Sequence, residues 1–202
     1  MVKQLFGILR LHFRQRRYFR ISTAMDIESV SGFILDLGGG PASFFSAMFP
    51  RPEQVILAEI DYKKAHQAKQ KQPSLYVVVA DGQRLPLSDR SVEATVCNSV
   101  IEHVNCPGLF AAEIRRVSKR FFLQTPNVSF PFEFHSYIPI PLFHFIPFTW
   151  LRRFVSRMFG GNFDYINSVK YVSERQLKEF FPEAQVTRES FIGLTKSFYV
   201  QK

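Results

Sequence analysis

Residues 33–43 read Phe33-Ile34-Leu35-Asp36-Leu37-Gly38-Gly39-Gly40-Pro41-Ala42-Ser43, and this stretch decides the fold. A short, mostly apolar run bounded by a turn signal is the pattern of a strand buried on both faces. The glycines let the backbone turn tightly and approach a ligand closely, and the helical stretch Ser43–Met48 then offers free N–H groups at its start. No Lys-Ser or Lys-Thr pair follows, so a nucleoside-triphosphate P-loop is excluded. Outward from this point the alternation repeats. Val55–Ala58, Leu75–Ala80, Val92–Cys97 and Phe121–Gln124 read as further buried strands, with helices over Tyr62–Lys71 and Pro107–Val117. Strand alternating with helix predicts right-handed crossovers and a parallel sheet covered on both faces. Between Asn127 and Lys170 the alternation stops. It resumes with a helix near Ser173–Phe181, capped by Ser173 with Gln176 at the capping-box position, and strands near Ala184–Ser190 and Thr195–Gln201 bring the expected number to seven.

The strand ends carry the chemistry. The second strand finishes in Ala58-Glu59-Ile60-Asp61, about twenty residues past the glycines, where a carboxylate accepts both hydroxyls of a ribose. The third finishes in Ala80-Asp81-Gly82. Taken singly, each acid reads better as a helix cap or a turn residue. Together, a glycine turn and two acids at consecutive strand ends, on the edge where open α/β sheets bind ligands, suit an adenosine that bears no polyphosphate.

At this point the chain resembles the class I S-adenosylmethionine-dependent methyltransferases, in particular the small-molecule branch related to ubiquinone-pathway enzymes. The matching segments are Ile34-Leu35-Asp36-Leu37-Gly38-Gly39-Gly40, Glu59-Ile60-Asp61, Asp81 with Leu85-Pro86-Leu87, Asn98-Ser99-Val100-Ile101-Glu102-His103-Val104, Glu113-Ile114-Arg115-Arg116-Val117 and Thr125-Pro126-Asn127. They follow the family's order over residues 32–128. The resemblance implies an α/β, Rossmann-like fold with S-adenosylmethionine as cofactor. It places Asp36, Gly38, Gly39 and Gly40 around the methionine part, Glu59 on the ribose, Asp81 and Gly82 at the adenine, and Asn98 beside the methionine. Ala42 stands where the family often has a third glycine; alanine is small enough that binding is expected to survive.

The stretch after the fourth strand bears on the substrate. Asn98-Ser99-Val100-Ile101 is not the Asn-Pro-Pro-Tyr-like element with which nitrogen-methylating nucleic-acid enzymes of this fold grip a base. Cys97 and Cys106 sit in no nucleophile motif, which disfavours carbon methylation of cytosine, and two cysteines cannot build a zinc site alone. Metal-binding relatives resemble Glu-x-x-Glu-His where this chain has Ser99 in place of the first acid, so no metal is expected. His103 is a candidate general base, because a neutral imidazole titrates in the useful range; orienting the following loop is the alternative. His135, two residues after Glu133, is the second candidate base.

Composition supplies the remaining constraints. With 202 residues, 46% of them hydrophobic, the chain holds one globular domain and excludes disordered and collagen-like classes. A net charge of +9 points to an anionic partner. Residues 1–25 carry Lys3, Arg10, Arg14, Arg16, Arg17 and Arg20 and no acid, and they read as a basic amphipathic helix. Leu5, Phe6, Ile8, Leu9, His12 and Phe13 share its apolar side, with Lys3, Arg10, Arg14 and Arg17 on the adjoining one. Packing on the domain, lying on a membrane and targeting to an organelle are its three readings. Of 23 phenylalanines, eleven lie between Phe121 and Phe163. Phe134–Leu151 is uncharged and long enough to span a membrane, but Pro139, Pro141 and Pro147 break it. The expected plan is a lead-in over 1–31, a methyltransferase domain over 32–202 and a Phe/Pro-rich cap at about 127–170 with a short helix around Trp150–Phe159. The expected activity is O- or C-methylation of a lipophilic or aromatic small molecule near an anionic membrane surface, with nucleic acid the less favoured partner. A non-catalytic partner subunit and an RNA methyltransferase are the rival readings.

Overall fold

The computed structural model describes residues 2–131, 143–159 and 163–202, with side chains from Leu11 onward. Its centre is a seven-stranded sheet in the order β3-β2-β1-β4-β5-β7-β6. The strands are β1 (Ile34–Leu37), β2 (Val55–Glu59), β3 (Tyr76–Val79), β4 (Val92–Asn98), β5 (Ser118–Pro126), β6 (Gln185–Phe191) and β7 (Leu194–Gln201). β1 to β5 pair in parallel, and β7 pairs antiparallel to both β5 and β6. The chain order reverses between β1 and β4, which is the switch point where open α/β sheets leave a crevice at their carboxyl ends.

Helices cover both faces. α1 (Val2–Ala24), α2 (Phe44–Met48) and α3 (Tyr62–Lys71) lie on one, where Ile21, Met25, Phe44, Phe45 and Ala68 share a core with Ile34, Val96, Phe122 and Tyr199. α4 (Pro107–Val117) and α7 (Glu174–Phe180) lie on the other, where Phe110, Ile114 and Leu177 pack with Leu35, Cys97, Leu123 and Phe198. The register of β1 with β4 sends Ile34 and Asp36 to the first face and Leu35 and Leu37 to the second. α3 and α4 have the bounds that their periodicity predicts, and α7 carries the expected capping box of Ser173 and Gln176. β5 begins three residues earlier than its apolar run. Ser118 is buried there, because its hydroxyl shares a hydrogen bond with Thr95 of β4.

Two segments depart from their sequence reading. The lead-in over 1–31 shares the core of the domain from Phe13 onward: Phe13, Arg17, Ile21 and Met25, one turn apart, are the buried line of α1. Arg17 therefore lies on the packed side of the helix, not on the solvated basic side. Its charge is met by tertiary partners that periodicity cannot register. In the 127–170 stretch, α5 (Thr149–Met158) matches the expected short helix, while α6 (Phe163–Ser168) was not anticipated. Phe143, Val155 and Ile166 hold these pieces together as a small separate core. Among the described residues no helix is long and apolar enough to cross a membrane.

Candidate functional site

The crevice begins at the glycine turn after β1. Gly38 has φ +72° and donates its N–H to the Ala58 carbonyl at 2.8 Å; a Cβ there would lie 2.7 Å from the Val100 methyl groups. Gly40 has φ +60°, and a Cβ on it would come within 3.3 Å of Glu59 Oε2. Both positions need glycine, one to let the segment after β4 close on the turn and one to keep the approach to Glu59 open. A Cβ on Gly39 would stand 2.5 Å from Asp36 Oδ1. Asp36 is buried, and its Oδ2 accepts the hydroxyls of both Ser43 and Ser46. Burial pushes the Asp36 carboxyl above its ordinary range, and the two hydroxyls offset part of that. The Asp36 carboxylate ties the glycine turn to the first turn of α2. Ser43 and Ser46 went unnoticed in the sequence, although Ser43 as cap of α2 was a signal.

At the end of β2, Glu59 is buried; its Oε1 accepts from the Asp61 N–H at 3.1 Å, while Oε2 faces Gly40. Asp61 instead caps α3, accepting from the N–H groups of Lys63 and Lys64 at 2.8 and 3.2 Å. Of the two acids in Glu59-Ile60-Asp61, only the first turns into the crevice. After β3, Asp81 is half-buried and accepts from the Gln83 backbone N–H at 2.9 Å and from its side-chain amide. Gln83 in turn accepts from the Cys106 N–H at 2.8 Å, which fastens this turn to the start of α4. A Cβ at Gly82 would lie 2.5 Å from the Phe110 ring, so the missing side chain here makes room for packing on α4. Leu85-Pro86-Leu87 is stapled to α4 as well. Glu113 accepts the Leu85 N–H at 2.6 Å, and Arg116 donates to the carbonyls of Leu87 and Leu85.

β4 closes the crevice. Asn98 lies one residue beyond the Leu37–Cys97 pair, level with Gly38. Its Oδ1 accepts from Arg17 Nη1 at 2.5 Å, a contact 81 residues apart in sequence. Ser99 has φ +55° and donates its hydroxyl to Gln124 Oε1 at 2.7 Å, which bends the chain so that Val100 covers Gly38. The turn Ile101–His103 follows. Glu102 is fully buried and accepts the Thr125 hydroxyl at 3.0 Å, while half-buried His103 donates its backbone N–H to the Val100 carbonyl at 2.8 Å. The residues around His103 thus brace the loop. Burial drives the Cys97 thiol well above its ordinary range, with the charges of Glu102 and Asp36 adding to the effect; it behaves as a core residue. His135 and Glu133 lie outside the described residues. Among the described residues no group of three or more His, Cys, Asp or Glu is arranged to hold a metal ion.

A mostly parallel seven-stranded sheet with an antiparallel β7, a glycine turn at the switch point and a buried acid at the end of β2 define the class I methyltransferase fold. Residues 35–120 match a family model described as a methyltransferase domain. Over that stretch the chain is similar to methyltransferase domains, and its sheet as a whole shares the class I methyltransferase fold. An uncharacterised methyltransferase of Mycobacteroides abscessus is 35% identical over 91 residues, covering 43% of this chain and 35% of the relative. One from Mycobacterium ulcerans is 38% identical over 96 residues, covering 46% and 37%. These matches span about a third of the length of the curated relatives. Among solved structures, an S-adenosylmethionine-dependent methyltransferase from Archaeoglobus fulgidus shares the fold with a TM-score of 0.59 at 11% identity, covering 94% of both chains. So does the magnesium protoporphyrin IX methyltransferase of Synechocystis with bound S-adenosylmethionine, with a TM-score of 0.59 at 12% identity, covering 96% of this chain and 80% of that one. The residues fit such a cofactor: the glycines leave open the strip of backbone that a side chain at Gly40 would narrow, and Glu59 faces it.

Proposed function

We propose that this protein methylates the oxygen or carbon of a lipophilic small molecule that it meets at a membrane surface. When bound, S-adenosylmethionine supplies a methyl group on a positively charged sulfur, an activated donor that asks little of acid–base catalysis. The chain's contribution is then to hold and exclude: Glu59 takes the ribose, the turn Gly38–Gly40 approaches the methionine part, Asp81 faces the adenine end, and the cap keeps water out. His103, on the turn after β4, receives the proton where the acceptor carries an ionisable hydroxyl.

The observation that carries the acceptor reading is how the 127–170 stretch is anchored. It leaves β5 with the Asn127 N–H donating to the Lys196 carbonyl at 3.0 Å, and it returns with the Lys170 N–H donating to the Glu102 carbonyl at 2.7 Å. Both anchors sit at the carboxyl edge of the sheet, so the two ends of this aromatic-rich segment flank the end of β4. α5 supports the membrane part. Val155 and Ser156 are its buried side, whereas Trp150, Phe154 and Met158 are 60–69% exposed on its outer side, with Arg153 and Arg157 alongside them. Outward aromatics flanked by cations, on a helix without an acid, suit an anionic lipid interface.

The test is a mass-shift screen of lipid extracts incubated with the protein and S-adenosylmethionine. One or more species should gain a methyl group with wild type and much less of it with E59A at limiting S-adenosylmethionine; equal labelling by both proteins would refute the assignment. Co-sedimentation tests the location. Binding to phosphatidylserine-containing vesicles should exceed binding to phosphatidylcholine ones, fall with salt, and drop in W150A/F154A. A protein that stays in the supernatant with both lipids at low salt removes the membrane from the reading.

A further inference from the structure

The hairpin between β6 and β7 departs from its own turn chemistry. Phe191 pairs with Leu194, so Ile192 and Gly193 alone make the turn, and both have positive φ, +51° and +75°. A two-residue hairpin of that form favours Asn-Gly or Asp-Gly, because its first position takes a left-handed backbone that a β-branched side chain resists. Here isoleucine holds the position and is 78% exposed, and Leu194, two residues on, is 49% exposed. The Ile192 side chain gains little from the domain and strains the turn that carries it. An outlier of this kind points to a use outside the fold.

The place of the tip narrows that use. Ser197 of β7 pairs with Pro126, the last residue of β5, so Leu194 and the turn stand about 10 Å past the carboxyl edge of the sheet, the edge at which the crevice opens. The Phe191 ring braces the tip from below. Its centroid lies 5.2 Å from that of Phe13 on α1 and 6.4 Å from that of Phe130, at the start of the 127–170 stretch. α1 climbs alongside: Arg20 meets Thr187 and Phe13 meets Phe191, four residues nearer the tip, so residues 2–12 continue in the direction that the hairpin points. Those residues hold Lys3 and Arg10 and no acid. Two apolar side chains on a convex turn fall far short of the roughly 800 Å² per partner that a specific protein interface buries. An apolar wedge beside a basic helix matches an anionic lipid surface, where cations meet headgroups and the wedge enters the acyl boundary.

We infer that the Ile192–Gly193 turn is a lipid-inserting element that docks, with the first half of α1, on anionic membranes at the mouth of the crevice. It is a second contact, on residues other than those of α5, and it rests on the membrane reading given above.

Co-sedimentation of the full chain with phosphatidylserine-containing and with phosphatidylcholine vesicles tests this, with S-adenosylhomocysteine affinity and thermal midpoint measured alongside. I192N supplies a residue that the turn favours, so its thermal midpoint should equal or exceed that of wild type and its S-adenosylhomocysteine affinity should be unchanged. Its partition onto the phosphatidylserine vesicles should nevertheless fall about tenfold, and further in I192N/L194T, whereas I192W, which keeps an interfacial side chain, should bind as well as wild type. Unchanged partition of I192N and I192N/L194T, while W150A/F154A lowers it, would overturn the inference and leave α5 as the membrane contact. A fall in I192N that comes with a lower thermal midpoint would make the tip a packing element and overturn it as well. A wild-type dimer in sedimentation velocity that I192N dissolves would give the tip to a second copy of the chain, with the same result. Wild type that stays in the supernatant with both vesicles at low salt removes the membrane reading and this inference with it.

Discussion

On the β1–β3 side of the sheet edge, each site group follows its own strand within a few residues and is ordered by near neighbours. Gly38–Gly40 come directly after β1, Asp36 is held by Ser43 and Ser46, Asp61 caps the helix that begins beside it, and Asp81 is held by Gln83. On the β4–β7 side the groups come from distant parts of the chain. Asn98 meets Arg17, 81 residues away, and Thr187 meets Arg20, 167 residues away; Phe13 stacks edge-on against Phe191 with ring centroids 5.2 Å apart. Local geometry suffices to hold a cofactor common to a whole class. The β4–β7 side is assembled only by folding, from residues that no local pattern brings together.

Four measurements break or sharpen this contrast, from the largest expected effect to the smallest. Replacing Glu189 by alanine strands Lys196 and Arg17 without their acid and should cost about 3–5 kcal/mol in chemical denaturation, the usual penalty for removing one partner of a buried pair. The effect has a pH signature. Burial pushes the Glu189 carboxyl up, but the charges of Arg17 and Lys196 and the hydroxyls of Ser197 and Tyr199 outweigh it and hold the group at about 2. The folded value lies below the ordinary 4.5, so this contribution is complete above that pH and is lost as pH falls from 4.5 toward about 2. E189Q should flatten that acid limb; an unchanged limb would place the acid sensitivity elsewhere.

Second come the glycines that differ in purpose. Gly39→Ala drives a Cβ against the buried Asp36 carboxylate, and Gly82→Ala drives one against Phe110; each should lose roughly 1–3 kcal/mol of stability. Only the first should also abolish S-adenosylhomocysteine binding in calorimetry. Equal loss of binding in both would place Gly82 at the cofactor site. Third, Glu59→Ala should weaken S-adenosylhomocysteine at least about tenfold, since it removes charge-assisted hydrogen bonds worth roughly 1.5–3 kcal/mol each. Its thermal midpoint should hold, and an unchanged affinity would move the ribose acid to another residue. The smallest effect belongs to Asp61→Ala, which removes the α3 cap and should cost about 1 kcal/mol with donor affinity preserved. A tenfold loss of affinity there would make Asp61 a ligand residue after all.

The donor side was legible because its signals are contiguous. Apolar runs ending in glycine or an acid, at the spacing of a strand–helix–strand unit, leave one way to place Gly38–Gly40 and Glu59 together. Within those runs the structure adds neighbours that no local pattern announces: the Phe110 ring over Gly82, and the hydroxyls of Ser43 and Ser46 on Asp36. Arg17 shows the larger gap: helical periodicity grouped it with Lys3, Arg10 and Arg14 on one basic side, and only packing against β6 and β7 reveals it as buried.

What the sequence by itself determined is therefore the strands and helices of a mostly parallel sheet and the residues at its donor edge, because strand and helix periods and glycine turns are properties of neighbouring residues. The tertiary structure alone decided which face of α1 is covered, which of two adjacent acids turns into the crevice and which cation stands beside Asn98. Those outcomes depend on which distant surfaces meet, and burial changes the energy of a charge far more than its place along the chain does.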